Sequence, residues 1–160
     1  MGDDSKPWEK KSPSEEELEA AWQGLSDAHE ALKTDWRNPV LRANVRAADR
    51  RLVRAYAPRW GDAVVAELLA LHATFEADEQ RADSSGAAML LHGDESDPLW
   101  ATAHALREKA TASRRAYADR LDRANREHYE YWERRLREMD ECHAEARRRD
   151  DERPPDDQKH

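Results

Sequence analysis

Arg42, Arg46, Arg50 and Arg54 follow one another at intervals of four residues. On a helix that spacing lines up four guanidinium groups along one side, roughly 6 Å apart. Such a row can track a phosphate backbone. It can equally pair with an acidic surface, on a protein partner or within the chain, or remain solvated. An acidic face is near in sequence: Glu16, Glu19, Asp27 and Glu30. Asp49 is the only acid between Asn38 and Gly61, where Arg51 and Arg59 add further positive charge. In a chain of net charge −8 this is the clearest local anomaly.

The second set of residues lies near the C-terminus. Tyr129, Tyr131, Trp132, Leu136 and Met139 cluster within one helical stretch. Tyrosine and tryptophan bury much area at little entropic cost, so they carry interface energy. These five are the expected partner-binding residues. The competing expectation is that Trp132 and Leu136 pack on the first helix of the same chain. Beside them Glu138, Glu141, Cys142, His143 and Glu145 are metal-ligand types. On a helix Glu138, Cys142 and Glu145 share a side, while His143 points about 100° away from Cys142. Neither Cys-x-x-Cys nor His-x-x-x-His occurs, so no metal is expected. No Gly-x-Ser-x-Gly, glycine-rich phosphate loop or His-Glu-x-x-His occurs either. No catalytic residue and no cofactor are expected. His29 and His72 sit at core spacing and read as core histidines.

These residues must be placed by helices. Ser12-Pro13, Asn38-Pro39 and Asp97-Pro98 each put a capping residue before a proline, the pattern of a helix start. Glu15 stands where a capping box needs it. The spacing predicts helices over about 13–37, 39–56, 62–81 and 98–149, with Asp62 capping the third. Leu18, Trp22, Leu25, His29, Leu32 and Trp36 form the expected seam of the first. Leu41, Val45, Ala48 and Leu52 form that of the second. Val64, Val65, Leu68, Leu71, His72 and Phe75 form that of the third. Helix 2, the turn at Ala57–Asp62 and helix 3 match a helix-turn-helix in outline. Helix 3, however, carries Glu67, Glu76, Asp78 and Glu79 rather than base-reading side chains.

The last helix is the longest, with no glycine or proline between Pro98 and Pro154. At about 1.5 Å per residue, ~50 residues span on the order of 75 Å. Its seam runs from Leu99 through Ala103, Leu106, Ala110, Ser113, Tyr117, Leu121, Ala124, His128, Trp132, Leu136, Met139 and His143 to Ala146. The mean step is about 3.6 residues, which predicts a straight helix against neighbours rather than one long supercoil. The small residues before Ala124 suit close intramolecular packing.

Trp22-Gln23-Gly24 resembles the Trp-x-Gly signature of the small helical-hairpin substrates of type VII secretion. Tyr129 and Glu133 resemble the Tyr-x-x-x-Asp/Glu export signal of those systems. The resemblance covers these two short patterns and implies a secreted helical hairpin with the tripeptide in its turn. In this chain the tripeptide falls inside the seam of the first helix.

Composition sets the outer bounds. Charged residues make up 39 % of the 160-residue chain and hydrophobic ones 38 %, so thin helices packed side by side are favoured over a large core. The pI near 5.4 argues against nonspecific binding to nucleic acid or anionic membrane by the chain as a whole. Cys142 is the single cysteine, which fits a reducing, cytoplasmic compartment. The polar N-terminus carries no apolar leader, and no run approaches a membrane span. The expectation is an all-α protein with a disordered arm over 1–11, one helical domain over 12–149 and a disordered tail over 150–160. Its expected role is non-catalytic protein–protein interaction or self-association as an adaptor, inhibitor, assembly factor or small regulator. The alternative is a nucleic-acid-binding regulator using the four arginines.

Overall fold

The computed structural model describes residues 11–84 and 94–152. Regular structure runs in the order α1 (Pro13–Thr34), α2 (Pro39–Ala55), α3 (Ala57–Trp60), α4 (Asp62–Ser84) and α5 (Pro98–Asp151). No strand occurs among the described residues, and the arrangement is four main helices with a long last one. The arm expected over residues 1–11 (Lys11 excepted), residues 85–93, whose Met89, Leu90 and Leu91 form a short apolar run in the sequence, and the tail from residue 153 lie outside the described residues.

The helix starts follow from local chemistry. Ser12 Oγ accepts from the Glu15 backbone N–H at 3.3 Å, and the Ser12 N–H donates to Glu15 Oε2 at 2.8 Å. That reciprocal box satisfies two amides that would otherwise lack helical partners. Asn38 Oδ1 accepts from Val40 and Leu41 N–H at 3.0 and 3.3 Å. Asp97 Oδ1 accepts from Leu99 N–H at 2.9 Å. α4 runs three residues past its expected end at 81, to Ser84, and α5 two past 149, to Asp151, so residues 150 and 151 are helical rather than part of the expected tail. Three further boundaries also differ from expectation. First, α1 stops at Thr34, three residues early, where the Thr34 hydroxyl donates back to the Ala31 carbonyl at 2.6 Å. Second, residues 57–60, expected as a turn, close a single helical turn, α3. Third, Asp62 is the first residue of α4 rather than its cap. Gly61 stands before it with φ of 87°, in the left-handed region, and its carbonyl accepts from Val65 N–H at 3.2 Å. Only glycine adopts that backbone without strain, which allows α4 to start directly after α3.

Residues Met1–Asp122 and Arg123–His160 form two units, and α5 contributes to both. In the first unit, α1 and α2 pair around Leu18, Ala21 and Leu52, with Leu25, Ala55 and Tyr56 packed against them. This seam differs from the expected one. Ala21 is buried, whereas Trp22, His29 and Trp36 are exposed. Close helix pairing leaves room for a methyl group at the contact line, so the large rings are displaced to its flanks. Trp22 still contributes from there. Its Nε1–H donates to Tyr56 Oη at 3.2 Å, and Tyr56 stacks on Trp60 with centroids 4.2 Å apart. Arg51 adds a two-bond clamp on Glu17, Nε to Oε1 at 3.0 Å and Nη2 to Oε2 at 3.3 Å.

On α4 the buried face is Val65, Leu68, His72, Phe75, Asp78 and Ala82. It packs against the first part of α5, whose buried positions there are Ala103, Ala110, Tyr117 and Arg120. With Leu106 and Ser113 between them, the steps alternate three and four. The inner seam is therefore tighter than the 3.6 average; it passes through Arg120 instead of Leu121, and the expected Ala124 is again buried. Leu99, expected to open the seam, is exposed.

Candidate functional site

The arginine row lies on α2 as its spacing requires, and three of its members face α4. Arg42 Nη1 lies 3.1 Å from Asp83 Oδ2, Arg46 Nη2 lies 3.4 Å from Glu79 Oε2, and Arg50 pairs with Glu76. Numbers rise along α2 as they fall along α4, so this is an antiparallel ladder. The acids sit at steps of three and four on one side of their helix, which matches the four-residue step of the arginines. The same acids also reach α5. Asp83 Oδ1 accepts from Arg107 at 3.1 Å, and Glu79 pairs with Arg114. Each therefore bridges two helices through one carboxylate. Arg54, at the end of the row, is exposed. The expected acidic face of α1 does not receive the row: its link to α2 runs through Arg51 to Glu17, one helical position round from Arg50.

Deeper in the same interface lies a cluster that sequence reasoning gave only in part. His72 is fully buried. Its ring packs on Phe75 and Tyr117 at centroid distances of 4.4 and 5.2 Å. Its Nε2 is 3.0 Å from Asp49 Oδ2 and its Nδ1 3.4 Å from Glu76 Oε1. Neither approach has the alignment of a good hydrogen bond, so both are close polar contacts with the two carboxylates. Tyr117 Oη donates to the same Asp49 oxygen at 3.0 Å. Burial first, and then the Asp49 charge, push the Tyr117 hydroxyl well above its ordinary pKa. It stays protonated and remains a donor. The lone acid of α2 thus meets both Tyr117 and His72.

Asp78 and Arg120 were not anticipated as buried groups. Asp78 accepts from the Ser113 hydroxyl and from Arg81 at 3.0 Å, with Lys109 Nζ 3.7 Å away. The Ser113 bond, then the Lys109 and Arg81 charges, hold its carboxyl below the usual range. Glu17 and Glu15 are depressed too, by Arg51 and by the Ser12 cap. Arg120 Nε lies 2.7 Å from Glu67 Oε2. A folded-state pKa below the unfolded one adds stability above the unfolded value, near pH ~4. That stability is lost as pH falls through the folded value. Unfolding followed by circular dichroism should therefore show stability level between pH ~5 and pH ~9 and falling below pH ~4. A fold that strengthens on acidification would contradict this network.

The distal part of α5 is a different kind of surface. Tyr129, Tyr131, Trp132, Leu136 and Met139 are 48 to 65 % exposed. The ring contacts of Trp132 are with His128 and Tyr131 of its own helix, at 6.2 and 5.7 Å. Cys142, His143 and Glu145 are exposed nearby. No group of three or more His, Cys, Asp or Glu among the described residues is placed to share a metal ion. A groove of about 600 Å³ lined by Ala77, Gln80, Arg81, Ser84 and Leu106 brings together no acid–base pair. Trp22-Gln23-Gly24 lies within α1, with helix on both sides, rather than in a turn. No described helix is long and apolar enough to cross a membrane. Comparison with known protein families, curated proteins and solved structures finds no match.

Proposed function

We propose that this chain is a non-catalytic helical interaction protein whose binding surface is the distal part of α5. The carrying observation is the exposure of five large apolar or aromatic side chains within eleven residues, Tyr129 to Met139. Exposed large side chains at this density are characteristic of a surface that another molecule covers. Tyrosine and tryptophan within it are the types on which binding energy concentrates. The arrangement of the arginines supports the same reading from the other side. A guanidinium already held by a carboxylate at 3.1 to 3.4 Å must lose that partner before it can neutralise a phosphate. Nucleic-acid binding through Arg42, Arg46 and Arg50 would therefore oppose the ladder.

The test is affinity capture from the native host with the intact chain and with Trp132→Ala/Leu136→Ala. Proteins held by the intact chain should be lost from the variant by at least ~10-fold, with circular dichroism and thermal midpoint unchanged. Equal capture by both would remove the proposal. So would steep salt-dependent binding of a DNA or RNA duplex that Arg46→Glu/Arg50→Glu abolishes.

A further inference from the structure

The distal surface of α5 carries a pattern as well as apolar area. Tyr129, Trp132, Leu136, Met139, His143 and Ala146 follow at steps of three, four, three, four and three. All six are exposed. This is the a/d alternation of a two-stranded coiled coil, with Tyr129, Leu136 and His143 at a and Trp132, Met139 and Ala146 at d. The whole-helix average of 3.6 hides it, because the step lengthens to four twice between Ala124 and Trp132.

The flanking charges say what fits. In this register Glu133, Asp140 and Arg147 occupy e, while His128, Arg135 and Cys142 occupy g. In a parallel, in-register pair, each g residue meets the e residue five positions further along the other chain. Arg135 then meets Asp140 of the second copy, His128 meets Glu133, and Cys142 meets Arg147. No like charges oppose one another. An antiparallel pair with the same core layers sets Glu133 against Asp140 and Arg126 against Arg147, which are both repulsive. Arg135 lies 3.1 Å from Glu138 on its own helix. Both side chains are exposed there, so exchanging that pair for one between chains costs little. His143 at a faces its own counterpart only when the chains are in register, the use to which single polar a residues are put.

We infer that the occupant of the distal face is a second copy of this chain, joined as a short parallel, in-register coiled coil over Tyr129–Ala146. This rests on the interaction reading above and names its partner. With only six core positions per chain, association is weak and concentration-dependent.

The experiment is light scattering of the full chain over rising concentration. The mass should move from 18.5 kDa towards about twice that value, while Leu136→Glu stays at the lower mass with its helical circular dichroism intact. Arg135→Glu and Asp140→Arg should each weaken association by about tenfold, and the double swap should restore it. A native chain that stays monomeric to ~1 mM overturns self-pairing. If Trp132→Ala/Leu136→Ala still removes captured proteins in that case, the interaction reading survives with a different occupant. If capture is also unchanged, both fall. A dimer indifferent to Leu136→Glu overturns the site. Absence of rescue by the double swap overturns the parallel register.

Discussion

Replacing His72 by alanine should destabilise the fold by about 3 kcal/mol. The ring is fully buried and fills the space between Phe75 and Tyr117. Truncation leaves a cavity there, and nearby side chains recover only part of the lost contact. It also removes the ring nitrogens that stand 3.0 and 3.4 Å from the Asp49 and Glu76 carboxylates. The two effects can be separated. His72→Phe keeps most of the volume and loses the polar contacts, so it should cost about 1–2 kcal/mol. Tyr117→Phe removes one hydrogen bond to Asp49 and should cost about 1 kcal/mol, because Asp49 retains some access to water. In a chain of this size, 3 kcal/mol corresponds to a fall in thermal midpoint of roughly 6–12 °C. Urea unfolding of the three variants is the measurement. A His72→Ala protein as stable as the native one would mean the cluster is not part of the folded core.

Replacing Glu79 by alanine should cost about 2 kcal/mol, which is large for a residue on a charged helix face. Its side chain is 13 % exposed and that of Arg46 16 %, so removing the carboxylate leaves a largely desolvated guanidinium without its counter-charge. The full penalty of a dry pair does not apply, because the second partner, Arg114, is mostly in solvent. A double-mutant cycle tells the two arms apart. Coupling between Glu79 and Arg46 should be about 1–2 kcal/mol, and between Glu79 and Arg114 below about 0.5 kcal/mol. Glu79→Leu combined with Arg46→Leu should recover much of the loss, since a matched apolar pair needs no desolvation. Equal coupling on both arms would show that burial does not govern the ladder.

The helix starts were legible because each rests on a few adjacent residues: Ser12 with Glu15, Asn38 with Pro39, Asp97 with Pro98. The all-α architecture followed from periodicity for the same local reason. The α1 seam was misjudged at Trp22, His29 and Trp36 because hydrophobic size is a poor guide where two helices approach closely. There the contact line favours Ala21, and sequence does not state how close the neighbour comes. The arginine row was legible as a face, but its partner was not. Spacing fixes which side of α2 the guanidiniums occupy, while the choice between α1 and α4 depends on how the helices pack. The acids that made α4 unlike a base-reading helix, Glu67, Glu76, Asp78 and Glu79, all turn out to have basic partners within the chain. For Glu76 and Glu79, which pair with Arg50 and Arg46, that complementarity between α2 and α4 was a signal available in the sequence. Asp78 and Arg120 gave no such signal, since each is an ordinary surface residue type whose burial arises only from the α4–α5 packing.

The most direct measurement is hydroxyl-radical footprinting of the intact chain, dilute and purified, against the same chain at cellular concentration in host extract. Tyr129, Trp132 and Met139 are reactive and exposed, and Trp22 and Trp36 are exposed tryptophans elsewhere on the chain that serve as internal references. All five should be strongly labelled in dilute solution. In extract, labelling of Tyr129, Trp132 and Met139 should fall severalfold while Trp22 and Trp36 are unchanged. Labelling of the α5 residues that stays the same in both conditions, or protection centred on Trp22 and Trp36 instead, would contradict it.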